Sequence, residues 1–293
     1  MKASTLWSIY SMVKSMLQVN ENVDISKYRK LQAYLKRKND GYEAKKSNIL
    51  TMDEVVRFLS EAPDDNFLLM KVALIIGING ACRREELRTL TVDDIEDTGN
   101  ILVVTLHDTK TKKKRIFTVT SKFDDINAIA LYRKYLNLRP KHVDHRRFFV
   151  FYKNGKCSVQ SVGIHSFASI PRKIAEYLKL SNASSYTGHC LRRTSATLLA
   201  DSGADIQMLK RHGGWRSTNV AEGYVEESIA NKIKTSNRIS KSEQQSTSAS
   251  SDEVLSSQFT ESKSCHVQSS GITFSNLNNC TFNINVHTDQ LNK

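Results

Sequence analysis

The chain has 293 residues, with 43 Lys and Arg against 30 Asp and Glu, a formal net charge of +13 and 39% hydrophobic residues, enough for one sizeable core and a small second domain. The longest apolar run, residues 67–78, contains Lys71 and is too short for a bilayer, and no charged segment followed by an apolar core opens the chain, so secreted and membrane classes are set aside. Five scattered cysteines without C-x-x-C spacing argue against a disulfide framework or a structural zinc site and fit a reducing, intracellular compartment.

Amphipathic helices are predicted over residues 5–17 and 26–38, the second carrying Tyr28, Leu31, Tyr34 and Leu35 at helical spacing. A linker follows over 41–48, where periodicity stops. Thr51-Met52-Asp53-Glu54 is a capping box that opens the next helix. Helices are then expected over 65–77, apolar enough to be central, and over 83–90. Ile101–Leu106 and Arg115–Thr120 are β-rich runs flanking a turn over 108–114, hence a hairpin. A helix over 124–138 and a strand over 148–152 follow. Four more helices are expected over 163–180, 189–202, 205–212 and 220–233. The fold class is α+β and mainly α, a catalytic-type domain over 49–235 with a small inserted sheet, preceded by a short helical segment over 1–40.

Charge is unevenly placed. Residues 105–156 alone hold 14 basic and 4 acidic side chains, a surplus that points to a polyanion partner. From 236 to 270 the chain has 13 serines in 35 residues and reads as disordered. Residues 271–293 alternate apolar and polar side chains; they read either as a β-prone segment able to pair with copies of itself or as a disordered terminus.

Some residues are expensive to explain as packing. Arg83 opens a short helix just after the apolar one, and Arg192 sits in the first turn of another apolar helix, in His189-Cys190-Leu191-Arg192. Two guanidiniums at buried helix ends keep their charge and call for an anion, and a phosphodiester is the natural guest. Lys110 lies in the hairpin turn, Trp215 follows Gly213-Gly214, and Tyr224 comes nine residues later. Singly, each has a bland reading: a half-buried core tyrosine, a packing tryptophan, a capping histidine.

Together, in this order, these residues resemble the tyrosine recombinase or phage integrase family. The resemblance is carried by Arg83 with Glu86, Lys110, His189-x-x-Arg192, Trp215 and Tyr224, and by Leu191-Arg192-Arg193-Thr194-Ser195-Ala196-Thr197. It covers roughly residues 49–234. It implies cleavage and rejoining of double-stranded DNA through a 3′-phosphotyrosyl intermediate, as in DNA recombination and integration, with no cofactor and no metal. Tyr224 would be the nucleophile, Arg83 and Arg192 the phosphate ligands, Lys110 the general acid for the 5′ oxygen, and His189 a general acid/base. Trp215 would hold the phosphate or buttress the tyrosine helix, and Glu86 would orient Arg83. Arg84, Lys112, Lys113, Lys114, Arg115, Arg193, Lys210 and Arg211 are expected on the DNA, and His212 at the surface or facing it. The implied partners are duplex DNA and further copies of the chain.

Only two helices precede the linker, where family members have a larger helical domain to clamp DNA. This shortness, with the Ser-rich tail, resembles eukaryotic Crypton-type members, whose location would be nuclear. Two other functions share the same residues: a transposon-derived DNA-binding or chromatin module without recombination, and a type IB topoisomerase. His142-Val143-Asp144-His145 lacks further ligands at metal spacing and reads as a basic loop.

Overall fold

The computed structural model describes residues 2–42, 45–107, 114–123 and 125–242. Helix α1 (Ala3–Asn20) is followed by a 3-10 turn (Ile25–Lys27) and α2 (Arg29–Arg37). The helix expected over 26–38 is thus split. Asp24 is the reason: its carboxylate accepts from the Ser26 N–H at 2.9 Å, and this local turn competes with a continuous helix. Helix α3 (Met52–Glu61) opens with the capping box read from sequence; Thr51 Oγ1 accepts from the Glu54 N–H at 3.2 Å, and Glu54 Oε2 accepts from the Thr51 N–H at 2.8 Å.

Helix α4 (Asp64–Asn79) is the centre of the molecule. Leu68, Val72, Ala73, Leu74, Ile75 and Ile76 are all buried, so no face is left for water. The one charge beyond its first turn, Lys71, is buried too and donates from Nζ to Asp64 Oδ1 at 2.8 Å. Around α4 pack α6 (Ala128–Leu138), α8 (Cys190–Asp201) and two strands, β3 (Arg115–Thr120) and β6 (Val150–Lys153). The short α5 (Arg84–Thr89) packs on α7 (Ile164–Tyr177).

The main sheet is antiparallel, in the order β1 (Ile95–Asp97), β2 (Ile101–Leu106), β3. Leu102, Val104 and Leu106 point inward from β2, and the register sets them opposite Val119, Phe117 and Arg115. Directly opposed residues share a face, so Arg115 is an inward position. The hairpin turn with Lys110, Lys112 and Lys113 lies outside the described residues. Two small hairpins go beyond the expected elements: β4 (Lys122–Phe123) with β5 (Ile126–Asn127), and β6 with β7 (Lys156–Ser161). The first delays α6 to Ala128, where Asn127 Oδ1 caps the Ala130 N–H at 2.9 Å.

Helices α9 (Ile206–Gly213), α10 (Thr218–Glu227) and α11 (Ile229–Ser242) close the described part. The single helix expected over 220–233 breaks at Ser228, which is fully buried; its hydroxyl donates to Asp201 and accepts from the Asn231 N–H at 3.1 Å. Regular structure does not stop at the change of composition, because α11 enters the serine-rich stretch as far as Ser242. The β-prone end of the chain lies outside the described residues. The fold is mainly helical with small antiparallel sheets, as the sequence implies. No helix among the described residues is long and apolar enough to cross a membrane.

Two apolar clusters result. The large one surrounds α4. The small one joins α8, α9 and α10 through Ala200, Leu209 and Ala221, with Trp215, Tyr224 and Val225 packed against it. Of the residues singled out for chemistry, Trp215 and Tyr224 pack against the small cluster, while Arg83 and Arg192 directly follow Cys82 and Leu191 of the large one.

Candidate active site

Arg83 is the residue before α5, and Glu86 begins to organise it. Glu86 Oε2 accepts from the Arg83 backbone N–H at 2.9 Å, and Oε1 accepts from Arg83 Nη1 at 2.6 Å. The Arg-x-x-Glu spacing is what allows a carboxylate in the first turn to reach back over the helix start. Glu86 is buried and holds a second guanidinium as well: Arg115 Nη2 donates to its Oε2 at 2.9 Å. Arg115 Nη1 continues to the His212 carbonyl at 2.9 Å, at the end of α9. Sequence reasoning placed Arg115 among DNA-contacting residues. The structure makes it the strut between Glu86 and α9. The signal was present in the alternation of β3, since an arginine in register with Phe117 and Val119 must face inward.

Arg192 lies one turn into α8, with only 5% of its surface exposed. Nη1 donates to the Ala81 carbonyl and Nη2 to the Gly213 carbonyl, each at 2.6 Å. Ala81 itself is held at φ +43°, the left-handed region that costs a non-glycine residue about 1 kcal/mol, so this turn is shaped against local preference. Burial, and then the neighbouring Arg83 and Arg115 charges, pull the Arg192 pKa down to about 10. Three guanidiniums stand near one carboxylate, Glu86, which bonds Arg83 and Arg115 while Arg192 bonds backbone carbonyls. The surplus of positive charge is what a bound anion would relieve.

The Arg192 guanidinium lies 4.9 Å from the Trp215 ring centroid, and Tyr224 is stacked on the same ring at 5.1 Å and 24°. The indole therefore links Arg192 to the helix that carries Tyr224. Two glycines place it. A side chain at Gly213 would meet the Trp215 ring at 2.5 Å, and Gly214 ends α9 at φ +62°. Trp215 and Tyr224 are both half-buried. A cleft of about 620 Å³ opens beside them, and among its lining residues Arg83, Lys114, Arg115, Lys210, Arg211 and Arg216 are cationic while none is acidic. Arg216 had not been singled out from the sequence.

His189 immediately precedes α8 and is exposed, one turn before Arg192 on the same helix end. Lys110 lies outside the described residues, as do Lys112 and Lys113. Arg84 is exposed beside Gly188. Arg193 turns away from the cleft to Ser47 and Glu227.

His212, expected at the surface, faces inward. Ser195 is buried and its hydroxyl donates to the Ile78 carbonyl, so its lone pairs accept from His212 Nε2–H at 2.6 Å. Burial first, and then the Arg115 and Arg192 charges, lower the His212 pKa to about 4. The ring is neutral, and its bond ties the end of α9 to α8. Between its unfolded pKa near 6.5 and its folded pKa of about 4, the unfolded chain binds the extra proton. Stability from this group is complete above pH 6.5 and is lost as pH falls toward 4, amounting to about 2 kcal/mol by pH 5. Urea melts at pH 7.5 and pH 5 should show that loss in the wild type, and His212→Gln should remove most of it. An equal pH dependence in both proteins would show that His212 is not the group responsible.

The structure is similar to XerA recombinase, at a TM-score of 0.54 and 19% identity, covering 79% of this chain and 82% of that one. It is also similar to XerH site-specific recombinase bound to a palindromic difH substrate in a post-cleavage complex, at a TM-score of 0.53 and 17% identity over 67% of this chain; only 54% of the XerH chain is spanned. No curated protein sequence matches the chain. The family model described as "Phage integrase family" matches residues 48–230, which run from the linker through every site residue to the start of α11. The chain belongs to the phage integrase family.

Proposed function

We propose that this protein cleaves and rejoins duplex DNA through a phosphotyrosyl intermediate, with Tyr224 as the nucleophile. The observation that carries the reading is the contact chain from the Arg192 guanidinium through the Trp215 ring to the Tyr224 ring, which sets an anion ligand and a phenol against one indole.

Tyr224 Oη attacks the phosphorus in line, and the bond from phosphorus to the 5′ oxygen breaks as the new bond forms. The phenolic proton leaves to His189, and the departing 5′ oxygen takes a proton from Lys110. The 3′-phosphotyrosyl bond keeps the energy of the cut strand, so attack by a 5′ hydroxyl rejoins it without an external energy source. Arg83 and Arg192 hold the non-bridging oxygens. In the pentacoordinate state these gain negative charge, and the site answers with fixed positive charge that needs no reorganisation. Glu86 and Arg115 keep the Arg83 fork aimed. Because the guanidiniums supply what divalent ions supply in other phosphoryl-transfer sites, the reaction is metal-independent. Lys114, Lys210 and Arg211 line the adjoining cleft and grip flanking phosphates, and further copies of the chain assemble on the DNA.

A nicked duplex carrying a library of sites tests the reading. Incubated with the wild type in a chelator and run on a denaturing gel, it should yield a covalent protein–DNA adduct. Binding of the same duplex should weaken by about 10³-fold between 50 and 200 mM salt, as for a protein neutralising several phosphates. Salt-sensitive binding with no adduct would reduce the function to DNA binding, and flat affinity would remove nucleic acid altogether.

A further inference from the structure

The tyrosine helix is held at two ends by different means. Near Trp215 it relies on the small apolar cluster, in which only Ala200, Leu209 and Ala221 are fully buried. So few buried side chains leave α10 free to rock by fractions of an ångström, which matters when in-line attack depends on placement at that scale. The far end is held by charge. Glu227, the last residue of α10 and three beyond Tyr224, accepts from Arg193 Nη2 at 2.8 Å through one carboxylate oxygen and from Lys46 Nζ through the other. Arg193 is mostly covered, its side chain 18% exposed, and its Nη1 donates to the Ser47 carbonyl.

Lys46 and Ser47 belong to the linker between α2 and α3, and the end of that linker is hydrogen-bonded to the rest of the fold. The Ser47 hydroxyl accepts from the Thr187 N–H at 2.9 Å, the Asn48 N–H donates to the Ser185 carbonyl at 2.9 Å, and the Leu50 N–H donates to Thr194 Oγ1 at 3.0 Å. Every one of these contacts ends beside a site residue. Residues 185–187 run into His189, Arg193 and Thr194 follow Arg192, and Glu227 follows Tyr224. An isolated exposed Lys–Glu pair would contribute little. Here both carboxylate oxygens are engaged and the arginine is shared with a backbone carbonyl, so the members hold one another in place.

We propose that Glu227 is a positioning residue for Tyr224, held by the Lys46–Ser47–Arg193–Glu227 clasp. The inference rests on the reading of Tyr224 as nucleophile. With the clasp closed, as in this structure, the phenol is stacked on Trp215. Loosening the hold on Glu227 changes the placement of α10 and with it that of the phenol.

The test uses the full chain, Glu227→Gln, and Glu226→Gln as an exposed neighbouring control. Amide exchange across residues 218–227, measured without DNA, should quicken by about fivefold in Glu227→Gln and stay at the wild-type rate in Glu226→Gln, with α4 unchanged in both. At saturating nicked duplex, adduct formation by Glu227→Gln should slow by a similar factor while DNA affinity stays within about twofold. Wild-type exchange and wild-type rate in Glu227→Gln would overturn the proposal. A slower rate accompanied by an equal loss of affinity would also overturn it, since Glu227 would then serve DNA binding. If the wild type itself forms no adduct, the strand-transfer reading fails, and the exchange measurement still decides whether the clasp holds α10.

Discussion

Tyr224→Phe should abolish covalent capture of DNA while leaving the protein folded and bound to its substrate. The ring of Tyr224 is stacked on Trp215 at 5.1 Å, and phenylalanine keeps that contact and the packing on Ala200, Leu209 and Ala221. What it removes is the oxygen that would attack phosphorus. The other members of the contact chain, Arg192 and Trp215, are not nucleophiles, so adduct formation should fall by at least about 10⁴-fold. The thermal midpoint and the DNA affinity should stay near wild type, because the phenol lies in a half-buried position rather than in the core. A denaturing gel and a melting curve on the two proteins suffice. Adducts from Tyr224→Phe at a comparable rate would assign the chemistry to another side chain and end the present reading.

The second large effect is expected at Arg192, where even lysine should fail. The guanidinium spans the Ala81 and Gly213 carbonyls with two nitrogens and lies 4.9 Å from the Trp215 ring centroid, and a single ammonium cannot do all three. Arg192→Lys should lower the adduct rate by about 10³-fold, the scale on which loss of a transition-state charge ligand operates. DNA affinity should change far less, since most phosphate contacts come from the rest of the cleft. The environment adds a pH signature. Burial and the two neighbouring arginines already draw Arg192 down to about 10. The same surroundings act on a lysine that starts lower, so the residual activity of Arg192→Lys should decline as pH rises from 7 to 9, as its proton is lost. A loss of less than tenfold would place Arg192 in the structure of the turn rather than at the phosphate.

Much of the fold was legible because its signals are local. The Thr51–Glu54 capping box, the all-round apolar pattern of α4 and the β-branched runs of β2 and β3 each depend on residues within a few positions of one another. The spacing of the candidate site residues was legible for a related reason: Arg83 with Glu86, His189 with Arg192, and Trp215 with Tyr224 are three to nine positions apart. Partners that meet across the fold were not legible. Arg115 reaches Glu86 and the His212 carbonyl, His212 reaches Ser195, and Arg193 reaches Glu227, and none of these pairs leaves a periodicity in the chain. The short strands β1, β4 and β5 were missed because two or three residues carry too little pattern, and pairing with a neighbour is what makes them strands; β7, six residues long, is polar and mostly exposed and lacks the apolar alternation of a buried strand.

By itself, then, the amino-acid sequence determined the family and the order of the main elements, because local conformational preference and residue spacing are written along one dimension. The tertiary structure alone decided which charges meet. It gave Arg115, which still lines the cleft, its bonds to Glu86 and the His212 carbonyl, turned His212 inward from its expected place at the surface or facing DNA, bent the last helix at Ser228, and brought the linker against the tyrosine helix through Glu227. Those choices depend on burial. A charge or hydroxyl withdrawn from water must find its partner wherever the packed chain presents one, and that place has no fixed distance in sequence.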